Sequence, residues 1–286
     1  MATPVMECMR RELNESLGKV EAAFGADALA IYGPIHYQLD RIVKVAVESM
    51  EHESRRTDMV VILDTHGGIV QVVERMVAVV RNFYKKVYFV IPDKAMSAGT
   101  IFAMSGNKIF MDYFSCLGPI DPQVEVGGSM VSVLSYLNQY EMLKKKSVNG
   151  GLSQAEIVLL DKLDLGQLYE FDQSRLLSID LLKRWLSTYK FEEWSRTEGT
   201  DTPVTLAMKV KRAEEIAGIL SKNDYWHSHG RGIDIHTLRS DIIKLKIDDL
   251  NATPNKSSAI KDYHALIVDF MTKHEYPAFV HTRKYF

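Results

Sequence analysis

The strongest constraint on the fold is a strand, tight turn and helix that occur twice in succession between residues 59 and 104. Met59–Leu63 and Val87–Ile91 are continuous apolar runs, a pattern typical of parallel strands buried on both faces. The turn DTHGG (residues 64–68) follows the first run, and AMSAG (95–99) opens a helix after the second. Strands that alternate with helices predict a parallel sheet, so the expected fold class is α/β.

The same alternation extends to both sides of this region. Short apolar runs predict strands over 28–31 and 108–111, and amphipathic spacing predicts helices over 6–24 and 37–51. Beyond residue 129 the pattern is helical, with segments over 130–146, 153–163, 166–189 and 205–221. A polar, turn-prone loop at 197–203 suggests a boundary between a main domain, 1–196, and a helical C-terminal extension packed on it, 197–286.

Composition limits the classes of partner. The net charge of −2 gives no sign of the basic face that binding to nucleic acid requires, so a nucleic-acid partner is not expected. The two cysteines, Cys8 and Cys116, match no metal or redox motif, which favours a reducing compartment without a bound metal. No apolar stretch reaches the roughly 18–20 residues that span a bilayer, and the first residues lack an apolar signal core. A cytoplasmic protein without a membrane span is therefore expected.

The two turns carry residues suited to acyl transfer. Such a site needs an exposed nucleophile, a base, and paired backbone N–H groups aimed at the developing oxyanion. Ser97 stands at a helix start, and Gly67 and Gly68 leave bare backbone at the end of the neighbouring strand. Taken alone, Ser97 is more simply explained as an N-cap and the glycine pair as a turn. Their position at the carboxyl ends of strands in one alternating series favours a site.

Three segments together resemble the superfamily of ClpP and signal peptide peptidase A: DTHGG (64–68), AMSAG (95–99) and LGPIDPQ (117–123). The chain is most similar to the serine dehydrogenase proteinase branch. Its segment WHSHGR (226–231) resembles the C-terminal part of that branch. The resemblance implies a ClpP/crotonase-like ββα spiral with a helical C-terminal half, and a serine peptidase that needs no cofactor. It also implies Ser97 as the nucleophile and the amides of Gly68 and Ala98 as the oxyanion hole.

The general base is less well defined by the resemblance. The position similar to the ClpP histidine holds Asp121, whereas signal peptide peptidase A enzymes use a lysine downstream of the serine. Lys144, Lys145 and Lys146 fall in a comparable stretch, and one of the three is the expected base. Lys144 continues an apolar helical face and is expected to point inward, while a solvated helix end is the alternative for each.

Three functions remain open at this stage. The first is hydrolysis of a peptide or protein substrate through an acyl-enzyme. The second is a crotonase-like acyl-CoA enzyme, which uses similar paired amides, and the third is a catalytically inactive scaffold of the same fold. Members of the superfamily assemble into rings or stacks, so the resemblance also implies a homo-oligomer in which a neighbouring subunit could supply the base. Any regulatory partner is left undefined.

Overall fold

The fold is given by a computed structural model that describes residues 3–50, 55–126, 129–197 and 199–286. Its helices are α1 (Pro4–Phe24), α2 (Leu39–Glu48), α3 (Val70–Phe83), α4 (Ala98–Ala103), α5 (Val133–Asn149), α6 (Gln154–Asp161), α7 (Leu165–Trp185), α8 (Leu206–Leu220), α9 (Asn223–Trp226), α10 (Ile235–Arg239) and α11 (Pro254–Lys273). Its strands are β1 (Asp27–Tyr32), β2 (Asp58–Asp64), β3 (Lys86–Ile91), β4 (Lys94–Ala95), β5 (Lys108–Met111), β6 (Cys116–Leu117), β7 (Gln123–Val126), β8 (Ser129–Ser132), β9 (Asp248–Asp249) and β10 (Phe279–His281). A π-helix, Leu186–Lys190, continues α7, and a 3-10 helix, Leu250–Ala252, follows β9.

A six-stranded sheet in the order β10-β1-β2-β3-β5-β9 forms the centre of the fold. The strands from β1 to β9 pair in parallel, and β10 pairs antiparallel with β1. In the register of the sheet, Leu29 lies beside Val61 and Val61 beside Phe89, so apolar side chains are aligned across three strands. The predicted α/β class is confirmed.

Helices cover both faces of this sheet, which explains why its strands are apolar throughout. Successive side chains of a strand point to opposite faces. Leu29 and Ile31 belong to the larger core, which includes residues of α2, α3, α4, α7 and α8, while Ala28 and Ala30 face a second core with α1 and α11. With both faces covered, the strands bury nearly every side chain, as parallel sheets do.

The C-terminal segment is joined to the main sheet at both edges. β10 pairs with β1 and β9 pairs with β5, and α11 packs against α1. This segment, 197–286, is predicted as a helical extension; α8, α9, α10 and α11 supply the α-helices, and the two edge strands are additional to the prediction. The boundary near residue 197 stays a prediction.

The remaining predicted elements agree with the structure within a few residues, with one correction. The predicted helix over 130–146 begins only at Val133, because Ser129–Ser132 form β8, which pairs antiparallel with β7. The Ser132 hydroxyl then caps α5 by accepting a hydrogen bond from the N–H of Leu134 at 3.3 Å. A strand that leads directly into a helix gives one continuous apolar pattern, which periodicity alone does not divide.

Candidate active site

Two turns from neighbouring strands are hydrogen-bonded to each other at the carboxyl ends of the sheet. The N–H of Thr65 donates to the carbonyl of Lys94 at 2.9 Å, and the N–H of Met96 donates to the carbonyl of Thr65 at 3.0 Å. Thr65 also accepts a hydrogen bond from the N–H of Gly67 through its side-chain Oγ1 at 3.0 Å. The turn after β2 therefore lies directly against the turn that leads into α4.

Both glycines of the first turn are required by close backbone approach. Gly67 has φ +99°, and a Cβ placed there would lie 2.7 Å from the carbonyl oxygen of Met96 and 2.8 Å from Cβ of Ser97. Gly68 has φ +143°, and a Cβ there would overlap the carbonyl of Ile35. Residues with a side chain rarely adopt such φ values.

Ser97 occupies an unusual backbone conformation immediately before α4. Its φ of 51° and ψ of −116° lie outside the left- and right-handed helical regions and outside the β region. Among the described residues its hydroxyl makes no capping hydrogen bond to the α4 amides, so the simple N-cap explanation does not hold. Strain of this kind costs about 1–3 kcal/mol and is concentrated at functional sites, as in the strand-to-helix nucleophile turns of hydrolases.

Two free backbone N–H groups flank the serine. In the described part of the chain, the N–H groups of Gly68 and Ala98 donate no hydrogen bond within the protein. Ala98 is the first residue of α4, where the helix leaves its amides unpaired and its dipole favours negative charge. Both residues, with Ser97, line one cavity of about 240 Å³. An oxyanion held there would accept two hydrogen bonds from fixed donors.

The wall of this cavity has both an aliphatic and a polar part. The aliphatic part comes from α4, the beginning of α3 and the segment that follows β6: Ile69, Val70, Ile101, Ile120 and Pro122. The polar part comes from uncharged side chains, including two of α7: Tyr37, Gln71, Gln123, Ser174 and Ser178. None of the described side chains that line it is a lysine, histidine, aspartate or glutamate. In its described residues, a single chain therefore presents a serine and free amides in this cavity without a lysine, histidine or carboxylate to act as base.

The three predicted lysines lie on the exposed side of α5. Lys144 Nζ is 3.4 Å from Glu141 Oε1, and Lys146 Nζ is 2.6 Å from Glu156 Oε1. All three lysines are exposed, including Lys144, which the sequence analysis expected to point inward. The apolar stripe of α5 that packs near α7 continues to Leu143 instead, so its neighbour Lys144 faces solvent.

A buried carboxylate lies behind the segment that lines the cavity. Asp121 is fully buried; Asp121 Oδ2 accepts a hydrogen bond from the hydroxyl of Ser132 at 2.7 Å, and Asp121 Oδ1 is 2.9 Å from His229 Nδ1. Of the described residues, neither Asp121 nor His229 lines the Ser97 cavity. In the sequence Asp121 is recognisable only as a departure from the ClpP pattern, and its pairing with His229 was not predicted because 108 residues separate the two.

Thr100 is a second residue that the sequence analysis missed. Its side chain is fully buried in α4, and its hydroxyl is 2.7 Å from the carbonyl of Ala95 and accepts a hydrogen bond from the N–H of Gly118 at 2.9 Å. This hydroxyl links the turn before Ser97 to the segment that carries Ile120. It thereby fixes one wall of the cavity relative to the serine.

His66 faces a different cavity on the other side of the glycine turn. That cavity, about 330 Å³ in volume, is also lined by Asp64, Lys94 and residues of α11. Burial raises the pKa of Asp64 to about 6, with a further contribution from the charge of Asp93 and an opposing one from Lys94. His66 is not among the described residues that line the Ser97 cavity.

Residues 29–161 match the family described as ClpP-like SDH-type serine proteinase. The predicted resemblance is confirmed. The matched range runs from β1 to the end of α6 and contains both turns, Ser97, and the three lysines of α5. This ClpP-like segment therefore includes every residue that the sequence analysis assigned to the site.

Two curated proteins of Methanocaldococcus jannaschii are similar to parts of the chain. Uncharacterized protein MJ1495 is 28% identical over 153 residues, which are 51% of this chain and 47% of that protein. Uncharacterized protein MJ0137 is 35% identical over 63 residues, 22% of each chain. The chain thus spans about half the length of the first relative and less of the second. Their names state no activity.

Two solved structures of the 1510-N membrane-bound stomatin-specific protease are similar at 15% sequence identity and a TM-score of 0.44. One is a serine-to-alanine mutant and covers 80% of this chain and 82% of its own. The other, a lysine-to-alanine mutant in complex with a substrate peptide, covers 77% and 73%. In the described part of the present chain, no helix is long and apolar enough to cross a membrane.

Proposed function

We propose that this protein hydrolyses peptide bonds through an acyl-enzyme on Ser97. The observation that carries the proposal is the arrangement around the serine: a strained residue without a capping role shares a cavity with the free N–H groups of Gly68 and Ala98. A residue held at this cost needs a compensating function, and a nucleophile beside two unpaired donors provides one. The family match over residues 29–161 supports the same reaction class.

In the proposed reaction, Ser97 Oγ attacks the carbonyl carbon of the scissile bond while a base takes the hydroxyl proton. The carbonyl oxygen becomes an oxyanion that accepts hydrogen bonds from the N–H groups of Gly68 and Ala98. The tetrahedral intermediate collapses, the protonated base returns its proton to the leaving amine, and an ester on Ser97 remains. Water then gives a proton to the base and attacks the ester, and the base passes that proton to Ser97 Oγ as the acid is released. The aliphatic part of the wall, which includes Ile69, Ile101 and Ile120, favours an apolar substrate side chain next to the scissile bond.

We further propose that the base is a lysine of α5 supplied by a neighbouring copy of the chain. Within one chain the described lining of the cavity contains no base, and Lys144, Lys145 and Lys146 all face solvent. Lys144 and Lys146 are each paired with a carboxylate, which favours the charged form, whereas Lys145 has no such partner among the described residues. Lys145 is therefore the first of the three to test. Docking of α5 over a second Ser97 cavity would desolvate its amine and favour the neutral form.

Homo-oligomeric assembly is part of this proposal, and a cytoplasmic location remains a prediction from composition. The acyl-CoA alternative is less favoured, because an enzyme of that kind polarises its thioester with the paired amides alone. The strained serine would then have no role. A catalytically inactive scaffold is the alternative that the missing base within one chain would support. Labelling of the serine separates it from the peptidase.

The first experiment treats the purified protein with a fluorophosphonate probe and measures covalent adducts by intact mass. We expect one adduct per chain, lost in Ser97→Ala and strongly slowed in Lys145→Met, with Lys162→Met as a control on an exposed lysine at the end of α6. Absence of any adduct on the assembled protein would support the scaffold. Normal labelling of Lys145→Met would exclude this lysine and direct the search to Lys144 and Lys146.

Complementation between two variants tests the shared site. When Ser97→Ala and Lys145→Met are unfolded together and refolded as a mixture, random pairing restores about a quarter of the sites, each with serine from one subunit and lysine from the other. The adduct should appear only on the Lys145→Met subunit. No gain over the separate variants would contradict a base that comes from the neighbouring copy.

A further inference from the structure

A third cavity, of about 490 Å³, lies at the opposite end of the sheet from Ser97. Its lining includes Asn107 and Lys108 at the beginning of β5, whereas Ser97 follows the carboxyl ends of β3 and β4. The π-helix after α7, the loop that follows it, α8 and the segment before β9 complete the wall. We call this the basic cavity, after the five cations that line it: Lys108, Lys190, Arg212, Lys244 and Lys246.

The charges of the basic cavity are unbalanced. Its five cationic side chains face two carboxylates, Glu193 and Asp248. Arg212 is paired with Glu215 at 2.7 Å and Lys244 with Asp241 at 3.3 Å, both outside the lining. The amines of the other three lysines, Lys108, Lys190 and Lys246, form no hydrogen bond or ion pair with the described residues. An excess of unpaired amines around one concave surface attracts an anion.

Lys190 is the strongest indication of a ligand. It is only 9% exposed, at the last position of the π-helix, and lines the cavity without a partner among the described residues. Burial lowers its pKa to about 8, against the opposing charge of Asp248. A largely buried lysine whose amine has no hydrogen-bond partner is costly, and an anionic ligand at this position would offset that cost. Single-turn π-helices occur frequently at functional sites.

Asp248 provides a complementary group in the same cavity. Its Oδ2 atom is buried and has no hydrogen-bond partner among the described residues. Asp248 and Lys190 both line the cavity yet form no ion pair at 4.0 Å or less. The site therefore offers a donor for an anionic group and an acceptor for a hydroxyl or amine of the same ligand.

Two aromatic side chains, packed edge to face at an interplanar angle of 70°, add an apolar part to the wall. Phe191 and Trp194 line the cavity with their rings 5.7 Å apart, and Trp194 is only partly buried. The volume lies within the range of about 300–1,000 Å³ typical of small-molecule sites, which is too large for a bare ion alone. Lysine amines bind phosphate as point charges, and aromatic faces stack on planar rings.

We propose that the basic cavity binds a small organic phosphate with a planar ring, of the nucleotide class. The phosphates contact the amines of Lys190, Lys108 and Lys246, the ring lies against Trp194, and a hydroxyl or amine of the ligand donates to Asp248. The site is separate from the Ser97 cavity and stands whether or not the protein is a peptidase.

The test is isothermal titration of the whole protein with three probes: ATP, adenosine and inorganic triphosphate, without added magnesium. We expect ATP to bind once per chain and more tightly than either fragment. Lys190→Met should weaken ATP binding about tenfold or more, because it removes a buried charge-assisted hydrogen bond. Lys162→Met, on an exposed lysine outside the cavity, should bind ATP as the wild type does.

Two further variants keep the proposal testable. Lys246→Met changes an exposed side chain and is expected to weaken ATP binding several-fold even if Lys190→Met folds poorly, which thermal unfolding would reveal. Trp194→Leu should reduce the affinity for ATP and leave that for inorganic triphosphate unchanged. No heat with ATP, or wild-type affinity in both lysine variants, would overturn the proposal. Equal affinity for ATP and inorganic triphosphate would overturn the ring contact, and equal affinity for ATP and adenosine the phosphate contact.

Discussion

The contact between the two turns predicts a specific cost for Gly67→Ala. The substitution has two separable effects, since Gly67 has φ +99° and its new Cβ would lie 2.7 Å from the carbonyl oxygen of Met96 and 2.8 Å from Cβ of Ser97. A positive φ costs a residue with a side chain about 1–2 kcal/mol. Carbon atoms prefer a separation of about 3.5–4.0 Å, so the turn must also move, at about 1–3 kcal/mol. We expect Gly67→Ala to lower the free energy of unfolding by about 2–5 kcal/mol.

Gly151→Ala is the matched control for the backbone contribution. Gly151 has φ +82° in the exposed turn between α5 and α6, and a Cβ there would meet nothing within 4 Å. It should therefore lose only about 1–2 kcal/mol. Urea unfolding of both variants at pH 7 measures the difference, which is the steric contribution of the contact between the turns.

The same variant tests how Ser97 is positioned. A Cβ on Gly67 would push against Ser97, and a displacement of about 1 Å in a reacting group costs about 100-fold in rate. Fluorophosphonate labelling of Gly67→Ala should be slower by at least about that factor, and that of Gly151→Ala unchanged. Equal stability of the two variants, together with wild-type labelling of Gly67→Ala, would refute the view that this contact holds the serine.

Three further perturbations test the strain and the buried polar groups. Ser97→Gly should be as stable as Ser97→Ala or more stable by up to about 2 kcal/mol, because relief of about 1–3 kcal/mol of backbone strain exceeds the entropic cost of glycine. A loss of about 1 kcal/mol relative to Ser97→Ala in urea unfolding would contradict this expectation. Burial lowers the pKa of His281 to about 4, so the folded state binds fewer protons than the unfolded state below pH 6.5. The contribution of His281 to the free energy of unfolding is therefore full above pH 6.5 and falls by about 2 kcal/mol between pH 7 and pH 5. Asp64, with its raised pKa, changes stability with pH in the opposite direction. The free energy of unfolding is therefore measured against pH for both the wild type and His281→Gln, and the two slopes are compared. Equal slopes would show that His281 is not the group responsible. Asp121→Leu should cost about 3 kcal/mol in urea unfolding because it leaves His229 without its buried partner, while an unchanged midpoint would contradict a structural role for the pair.

The central strands and the turn that carries Ser97 were predictable because their signals are local. Met59–Leu63 and Val87–Ile91 are apolar throughout, which only strands covered on both faces require. Ser97 and the glycine pair each lie within a few residues of the strand that positions them. Strand, turn and candidate residue are therefore consecutive in the sequence, so periodicity together with turn chemistry is enough to place all three along the chain.

The parts that were missed depend on pairing between distant segments. β10 is three residues long and pairs with β1 from the far end of the chain, and β9 is two residues long, so neither has a period to detect. The exposure of Lys144 depends on which residues of α5 face α7, and an apolar stripe is wide enough to include either Leu143 or Lys144. Asp121 and His229 are ordinary polar residues in the sequence, and only the fold brings them together.

In the proposed site, one chain supplies the serine and the two amides and a second chain supplies the lysine, and this division has a physical explanation. The serine and the two amide donors can be held within one chain, because backbone hydrogen bonds between the turns offset the strain at Ser97. A lysine buried permanently beside them would add the cost of desolvating an amine. A lysine that stays on an exposed helix until a second chain docks avoids that cost in the free monomer. Under the proposed arrangement, assembly both lowers the amine pKa and completes the catalytic group, so an isolated chain is stable and inactive.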